Sequence, residues 1–223
     1  IIIGVAAVIA LVSIGNGVKQ DIENSISSLG SNLLVVLPGA PRTPGARSSQ
    51  GSMKSLKISD YEAIAKLEGV KAASPMTNGS YVVIYQNKNW TTSVAGVNSN
   101  FQDVNNWTMT SGRFFSDKNV QNRERVAVVG QTVVKNLFAD EDPVGKEIRV
   151  KNIPFRVIGV LKSKGNGTMG NDQDDTVLIP YTTSMERVEG IDYLRRVYVV
   201  AKDDGGIDRL QADIENLLRV RHN

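Results

Sequence analysis

The first thirty residues constrain this chain more than any other stretch. Ile1 to Ile14 are almost continuously apolar, broken only by Gly4 and Ser13. A bilayer span needs about 20 such residues, so the run is too short to cross alone. No initiator Met and no basic stretch precede it, unlike a secretory signal. It reads as the distal half of a transmembrane helix. A buried core helix fits less well, because the run has no polar face. After Gly17, Val18, Ile22, Ile26 and Leu29 recur at helical spacing, with Lys19, Gln20, Asp21, Glu23 and Asn24 between them. This predicts an amphipathic stalk that continues the helix and stops at Gly30. Gly15 and Gly17 each weaken a helix by up to about 1 kcal/mol relative to alanine. They fit a hinge at the membrane surface and an interfacial packing site equally well.

The remainder has the balance of a globular domain, with 41% hydrophobic and 22% charged residues over the 223-residue chain. The net charge of +3 is spread along the chain and gives no footprint for nucleic acid. With no cysteine, disulfide scaffolds, thiol nucleophiles and thiolate metal sites are excluded. The one histidine, His222, stands beside the C-terminus. A catalytic triad or a multi-histidine metal site therefore requires that residue to fold back into a site.

Residues 32–37 (NLLVVL) predict a buried strand ended by Pro38 and Gly39. The Pro-, Gly- and Ser-rich stretch 38–55 predicts a surface loop. Arg42, Arg47, Lys54 and Lys57 in or beside it read as solvated charges rather than a lipid or acidic-partner contact. Ser59 and Glu62 have capping-box spacing at the start of a helix through Leu67. A strand from Val70 to Tyr85, a turn at 87–89 and a returning strand from Trp90 to Val97 follow. Strands at 125–129, 148–150, 155–160 and 176–179 alternate with a short helix at 131–138 and a loop at 162–175. A short helix is expected at 181–188. Arg196 to Ala201 and the stripe Ile207, Leu210, Ile214, Leu217, Leu218 predict a last strand and helix. The two terminal strand–helix units can pack into one split βαβ layer, with the middle of the chain inserted.

Gly165-Asn166-Gly167-Thr168-Met169-Gly170 matches G-x-G-x-x-G literally. Asp172, Asp174 and Asp175 follow it and no amphipathic helix does, so a pyrophosphate site is not expected. Those aspartates also lack the spacing of a calcium loop and read as a solvated acidic loop. No P-loop motif occurs, so this chain is not expected to hydrolyse ATP. Four Asn-x-Ser/Thr sequons, at Asn78, Asn89, Asn106 and Asn166, read as coincidence in an Asn-rich chain. Trp90 and Trp107 are core anchors or interface anchors, with the core preferred.

Several blocks in order resemble one family. IIIGVAAVIALVSIGNGVKQ at 1–20, LGSNLLVVLPG at 29–39, SGRFFSD at 111–117 and VAVVGQTVVKNLF at 126–138 look like segments of MacB/FtsX-type ABC transporter permeases. So do DPVGKEIRV at 142–150, FRVIGVLKSKG at 155–165, DDTVLIPYTT at 174–183 and LLRVRHN at 217–223. The resemblance implies an α+β, two-subdomain extracytoplasmic domain. Residues 1–30 would be a truncated transmembrane and stalk helix. Residues 31–97 and 190–223 would form a split βαβ porter-like subdomain, and 98–189 an inserted small α/β Sabre-like subdomain. It further implies a bacterial cell-membrane location with the soluble part outside the cytoplasm. The implied partners are an ATP-binding subunit or domain of the same transporter, a second copy in a homodimer, a membrane-fusion adaptor protein, and the bilayer through the N-terminal helix. ATP hydrolysis would be coupled by mechanotransmission to export of a drug, peptide or lipoprotein. The alternative is an FtsX-like or peptide-sensing role, regulating a cell-wall hydrolase or a signalling partner. No catalytic, cofactor-binding or metal-ligating residue carries over, no cofactor is implied, and substrate- and partner-binding residues stay unassigned.

Overall fold

The computed structural model describes residues 32–38, 54–167 and 170–222. The expected stalk helix, the Gly15/Gly17 pair, Arg42 and Arg47 lie outside the described residues. Among the described residues no helix is long and apolar enough to cross a membrane.

In chain order the elements are β1 (Leu33–Val36), α1 (Ile58–Ile64), β2 (Val70–Tyr85), β3 (Lys88–Val97), α2 (Phe101–Val104) and β4 (Met109–Gly112). Then come α3 (Asp117–Gln121), β5 (Val126–Val129), α4 (Gln131–Leu137), β6 (Glu147–Val150), β7 (Ile153–Leu161) and β8 (Thr176–Pro180). The chain closes with α5 (Tyr181–Thr183), a π-helical turn at Ser184–Glu189, β9 (Arg196–Ala201) and α6 (Ile207–Arg221).

β2 organises the molecule. Its 16 residues span about 50 Å at the rise of an extended chain. Val70 to Met76 pair with β9, whose other edge carries β1. Both pairings are antiparallel, so β1 and β2 run the same way with β9 between them and α1 in their connection. From Thr77 onward β2 pairs instead with β3. From there the pairings run β3–β8–β5–β7–β6 and return to β2 at Val83 and Ile84, closing a ring of six strands. β4 extends β7 beyond the stretch that β6 covers.

Three apolar clusters follow from the alternation of strand side chains. On the first sheet, Val70, Ala73, Val197, Val199 and Ala201 meet Ile64 of α1 and Leu210 and Ile214 of α6. In the ring, Ala127 and Val129 of β5 face Val133 and Leu137 of α4, with Val177, Ile179 and Phe155. The intervening residues Val126 and Val128 face the other way, against Phe101, Trp107, Phe115 and Val120. β5 is buried on both faces, which explains why it reads as an unbroken apolar run.

Three local expectations need correction. The first hairpin turns at Gln86 and Asn87, because Tyr85 pairs directly with Lys88. Gln86 takes φ 53 to make this tight reversal. The β6–β7 turn is Lys151–Asn152 rather than Lys151–Pro154. Both residues have positive φ (49 and 65), the form whose twist suits a two-residue hairpin. Pro154 therefore lies inside β7, opposite Arg149. Arg156 donates its amide to the Arg125 carbonyl, so position 154 points to the same edge before β5 begins. A missing N–H there costs no ladder bond. Finally, α1 starts at Ile58 and is capped from within by Asp60, which accepts the Lys57 amide at 2.8 Å. Ser59 is already in the helix.

Candidate functional site

In the glycine-rich loop the amides of Lys164, Gly165, Gly167 and Gly170 are bonded within the loop itself. The buried Asp174 carboxylate accepts the Lys164 amide at 2.8 Å, the Gly165 amide at 3.0 Å and the Ser163 hydroxyl. The Gly167 amide donates to the Asn171 carbonyl, and the Gly170 amide to Gly167. A pyrophosphate would have to displace a carboxylate that is built in. The loop then runs into β8, with no helix dipole behind it.

The three aspartates go separate ways. Asp172 accepts the Thr132 hydroxyl at 2.6 Å, Asp174 holds the loop, and Asp175 accepts the Trp90 indole N–H at 2.8 Å. Among the described residues no group of three His, Cys, Asp or Glu side chains could hold a metal. Lys164 lies 4.3 Å above the Trp107 ring and donates to the Asn105 carbonyl. Burial lowers its pKa, partly offset by Asp174. Trp107 is buried in the cluster with Phe101 and Phe115, and Trp90 is half-buried against the other ring cluster, that of Val133 and Leu137.

The densest polar network among the described residues lies where the two sheets meet. The segment α5 with its π-helical turn touches β2, β3, α3 and, through Tyr181, α1. Tyr181 packs edge-on against Tyr61 of α1 at 6.2 Å. Burial pushes the Tyr181 phenol up to about 12, so it stays neutral. Thr182 and Thr183 donate to the carbonyls of Val120 and Glu124. The Ser184 hydroxyl lies 3.0 Å from that of Thr77, the first β2 residue paired with β3, and donates to Glu189. Asn98, just after β3, donates to the Tyr61 hydroxyl and to the Ala73 carbonyl. Two ion pairs cross the same region, Lys57–Asp192 at 2.7 Å and Arg123–Glu186 at 3.0 Å. They line a surface cleft of about 400 Å³ with Ile58, Met185 and Ile191. Of the four basic residues marked in the loop, Lys57 is thus paired within the fold, and Lys54 lies over the Tyr193 ring.

A second constellation joins the two helices on the first sheet. His222 does fold back, onto Asp60, with Nε2 at 3.0 Å from Oδ2. Arg221 donates Nε to the other oxygen at 2.8 Å. Asp60 is 3% exposed. Burial raises its pKa, but Arg221, the Lys57 amide and His222 outweigh burial and hold it below its ordinary value. No serine hydroxyl contacts His222 among the described residues, so the pair has the form of an ion-pair anchor. Sequence reasoning missed it: the cap was read at Ser59 and Glu62, Asp60 was not singled out, and nothing local points to a partner 161 positions away.

A mixed α+β module with polar junctions between its parts is the class that this geometry defines. Residues 1–217 match the family described as the MacB-like periplasmic core domain, and the chain belongs to that family. It is 45% identical over its whole length to the macrolide export ATP-binding/permease protein MacB of Rhodospirillum rubrum, and 40% identical to that of Marinobacter nauticus. It spans about a third (34%) of the length of each. The crystal structure of the periplasmic region of MacB from Actinobacillus actinomycetemcomitans superposes with a TM-score of 0.77 at 27% identity, covering 91% of this chain and 89% of that one. The extracellular domain of the ABC-type transporter YknZ from Gram-positive bacteria shares the fold, with a TM-score of 0.71 at 20% identity, covering 86% of this chain and 95% of that one. The family resemblance read from the sequence blocks is thus established, with the extracytoplasmic placement that it carries.

Proposed function

We propose that this chain couples ATP hydrolysis in the cytoplasm to export of a drug, peptide or lipoprotein, as the extracytoplasmic domain of a MacB-like ABC transporter permease. The coupling is mechanical. The transporter works as a homodimer with its own ATP-binding domains, and a membrane-fusion adaptor protein docks on the extracytoplasmic side. Support for a mechanical role comes chiefly from β2, a single strand that belongs to both sheets. A strand hydrogen-bonded along its length resists bending between its two halves. A displacement of the first sheet therefore reaches the ring without a flexible linker. The matched relatives named for macrolide export favour this reading over a regulatory one.

In this reading the β1–β9–β2 layer with α1 and α6 is the porter-like part, a split βαβ arrangement. The ring with its covering helices is the Sabre-like part. The parallel pairing of β3 with β8 supports a boundary within β2, near Thr77, in place of one at residue 98. The test is the ATPase rate of the full-length protein in lipid nanodiscs, with and without a candidate periplasmic adaptor. Stimulation that vanishes when the extracytoplasmic surface is blocked by a bound antibody fragment supports the coupling role. An ATPase indifferent to both adaptor and antibody fragment contradicts it.

A further inference from the structure

We infer that Asp60 is a positioning residue that locks the C-terminal helix to the first sheet, so that α6, α1 and the sheet are displaced as one body. The inference rests on the coupling role proposed above and names the contact through which that coupling passes.

Two helix ends of opposite polarity meet at this carboxylate. Asp60 lies in the first turn of α1, where the partial positive charge of the helix N-terminus favours an anion. Arg221 and His222 lie at the end of α6, where the partial negative charge favours cations. One oxygen of Asp60 accepts the Lys57 amide and faces His222 Nε2; the other accepts Arg221 Nε. The same group therefore caps α1 and pins α6.

Apolar packing alone does not fix this end of α6. Its buried residues are Leu210 and Ile214, in the first and middle turns. In the last turn Leu217 and Leu218 are only half-buried, and Val220 is 78% exposed. An apolar contact tolerates sliding, because dispersion and burial have no direction. A buried carboxylate shared by a guanidinium and a backbone amide does not slide, because moving either helix strands a charge away from water. The anchor stands where packing is thinnest and directional restraint matters most.

The test uses the full-length transporter in nanodiscs, in a cysteine-free background, with spin labels at Glu62→Cys on α1 and Glu215→Cys on α6. Both positions are exposed. A reference pair joins residue 215 to the ATP-binding part. Distances are measured without nucleotide and with ATP trapped, in the parent, in Asp60→Asn and in Arg221→Met. Asn keeps an oxygen for the Lys57 amide but loses the charge; Met keeps the stem of residue 221 and leaves Asp60 untouched. The expected result is a narrow 62–215 distance that is the same in both states of the parent while the reference distance changes. In both variants, with melting curves showing a folded domain, that distance broadens or shifts on ATP trapping. Variants that keep the parent's narrow, state-independent distance overturn the anchor. A parent whose reference distance never changes overturns the mechanical reading beneath it, which keeps the two failures distinct.

Discussion

The Arg221 guanidinium reaches across 161 positions of sequence to hold the buried Asp60 carboxylate at 2.8 Å. That carboxylate also caps α1 through the Lys57 amide. Removing it therefore damages two helices at once. Arg221 and His222 keep about a third of their side chains exposed (35% and 34%), so solvent softens the loss. We expect Asp60→Ala to cost about 2 kcal/mol and Arg221→Met about 1 kcal/mol. For a domain of this size the first lowers the melting temperature by about 5 °C. Thermal unfolding of the isolated domain measures both, and equal losses for the two variants would show that the cap on α1 contributes nothing.

Acid should release the same anchor. The folded-state pKa of Asp60 lies below its unfolded value, because Arg221, the Lys57 amide and His222 outweigh the burial that raises it. A depressed carboxylate stabilises the fold above the unfolded pKa, and that stability is lost as pH falls through the folded one. The unfolded value is about 3.9, so the loss begins near it and grows below. Urea midpoints between pH 6 and pH 3 should fall more steeply for the parent than for Asp60→Asn. Parallel profiles would remove Asp60 from the pH dependence.

Gly96 of β3 lies close against the π-helical turn. A Cβ there would lie 2.5 Å from Ser184 Cβ and 2.6 Å from Thr77 Oγ1. Both neighbours belong to the junction where β2 changes partners. Gly96→Ala should cost about 1–3 kcal/mol by overpacking. Chemical denaturation reads the loss. An unchanged midpoint would mean that the turn moves aside freely and is no rigid joint.

Asp174 holds the loop after β7 through three donors, from Ser163, Lys164 and Gly165. Asp174→Ala should leave both sheets folded while the Lys164 and Gly165 amides exchange at least about tenfold faster, the equivalent of one lost hydrogen bond. Hydrogen exchange with fragment-level resolution reports this. Unchanged exchange at 162–167 would show that the loop is ordered by something else.

The elements were largely legible in the sequence because their signals are local. The alternation in RVYVVA and the stripe from Ile207 to Leu218 gave β9 and α6 with nearly their observed bounds. The ring was not legible. The parallel pairings of β3 with β8 and β5 with β7 are non-local, and no residue in β3 names β8 as its neighbour. Ser59 and Glu62 had the right spacing for a cap, but Asp60 caps instead, because Arg221 and His222 draw that carboxylate inward. The glycine-rich loop was weighed against pyrophosphate by its charge alone; the bonding of the Lys164 and Gly165 amides to Asp174 needs the folded loop.

The central claim is that both sheets move as one body because β2 belongs to both. The most direct measurement is a spin-label distance between Lys66→Cys, beyond α1, and Lys135→Cys on α4, both at exposed positions. It is taken in the full-length transporter without nucleotide and with ATP trapped. The account predicts one narrow distance, unchanged between the two states, while the distance from either label to the membrane-embedded part changes. A 66–135 distance that shifts with ATP would contradict it, showing that the sheets flex about the Met76–Thr77 junction instead of travelling together.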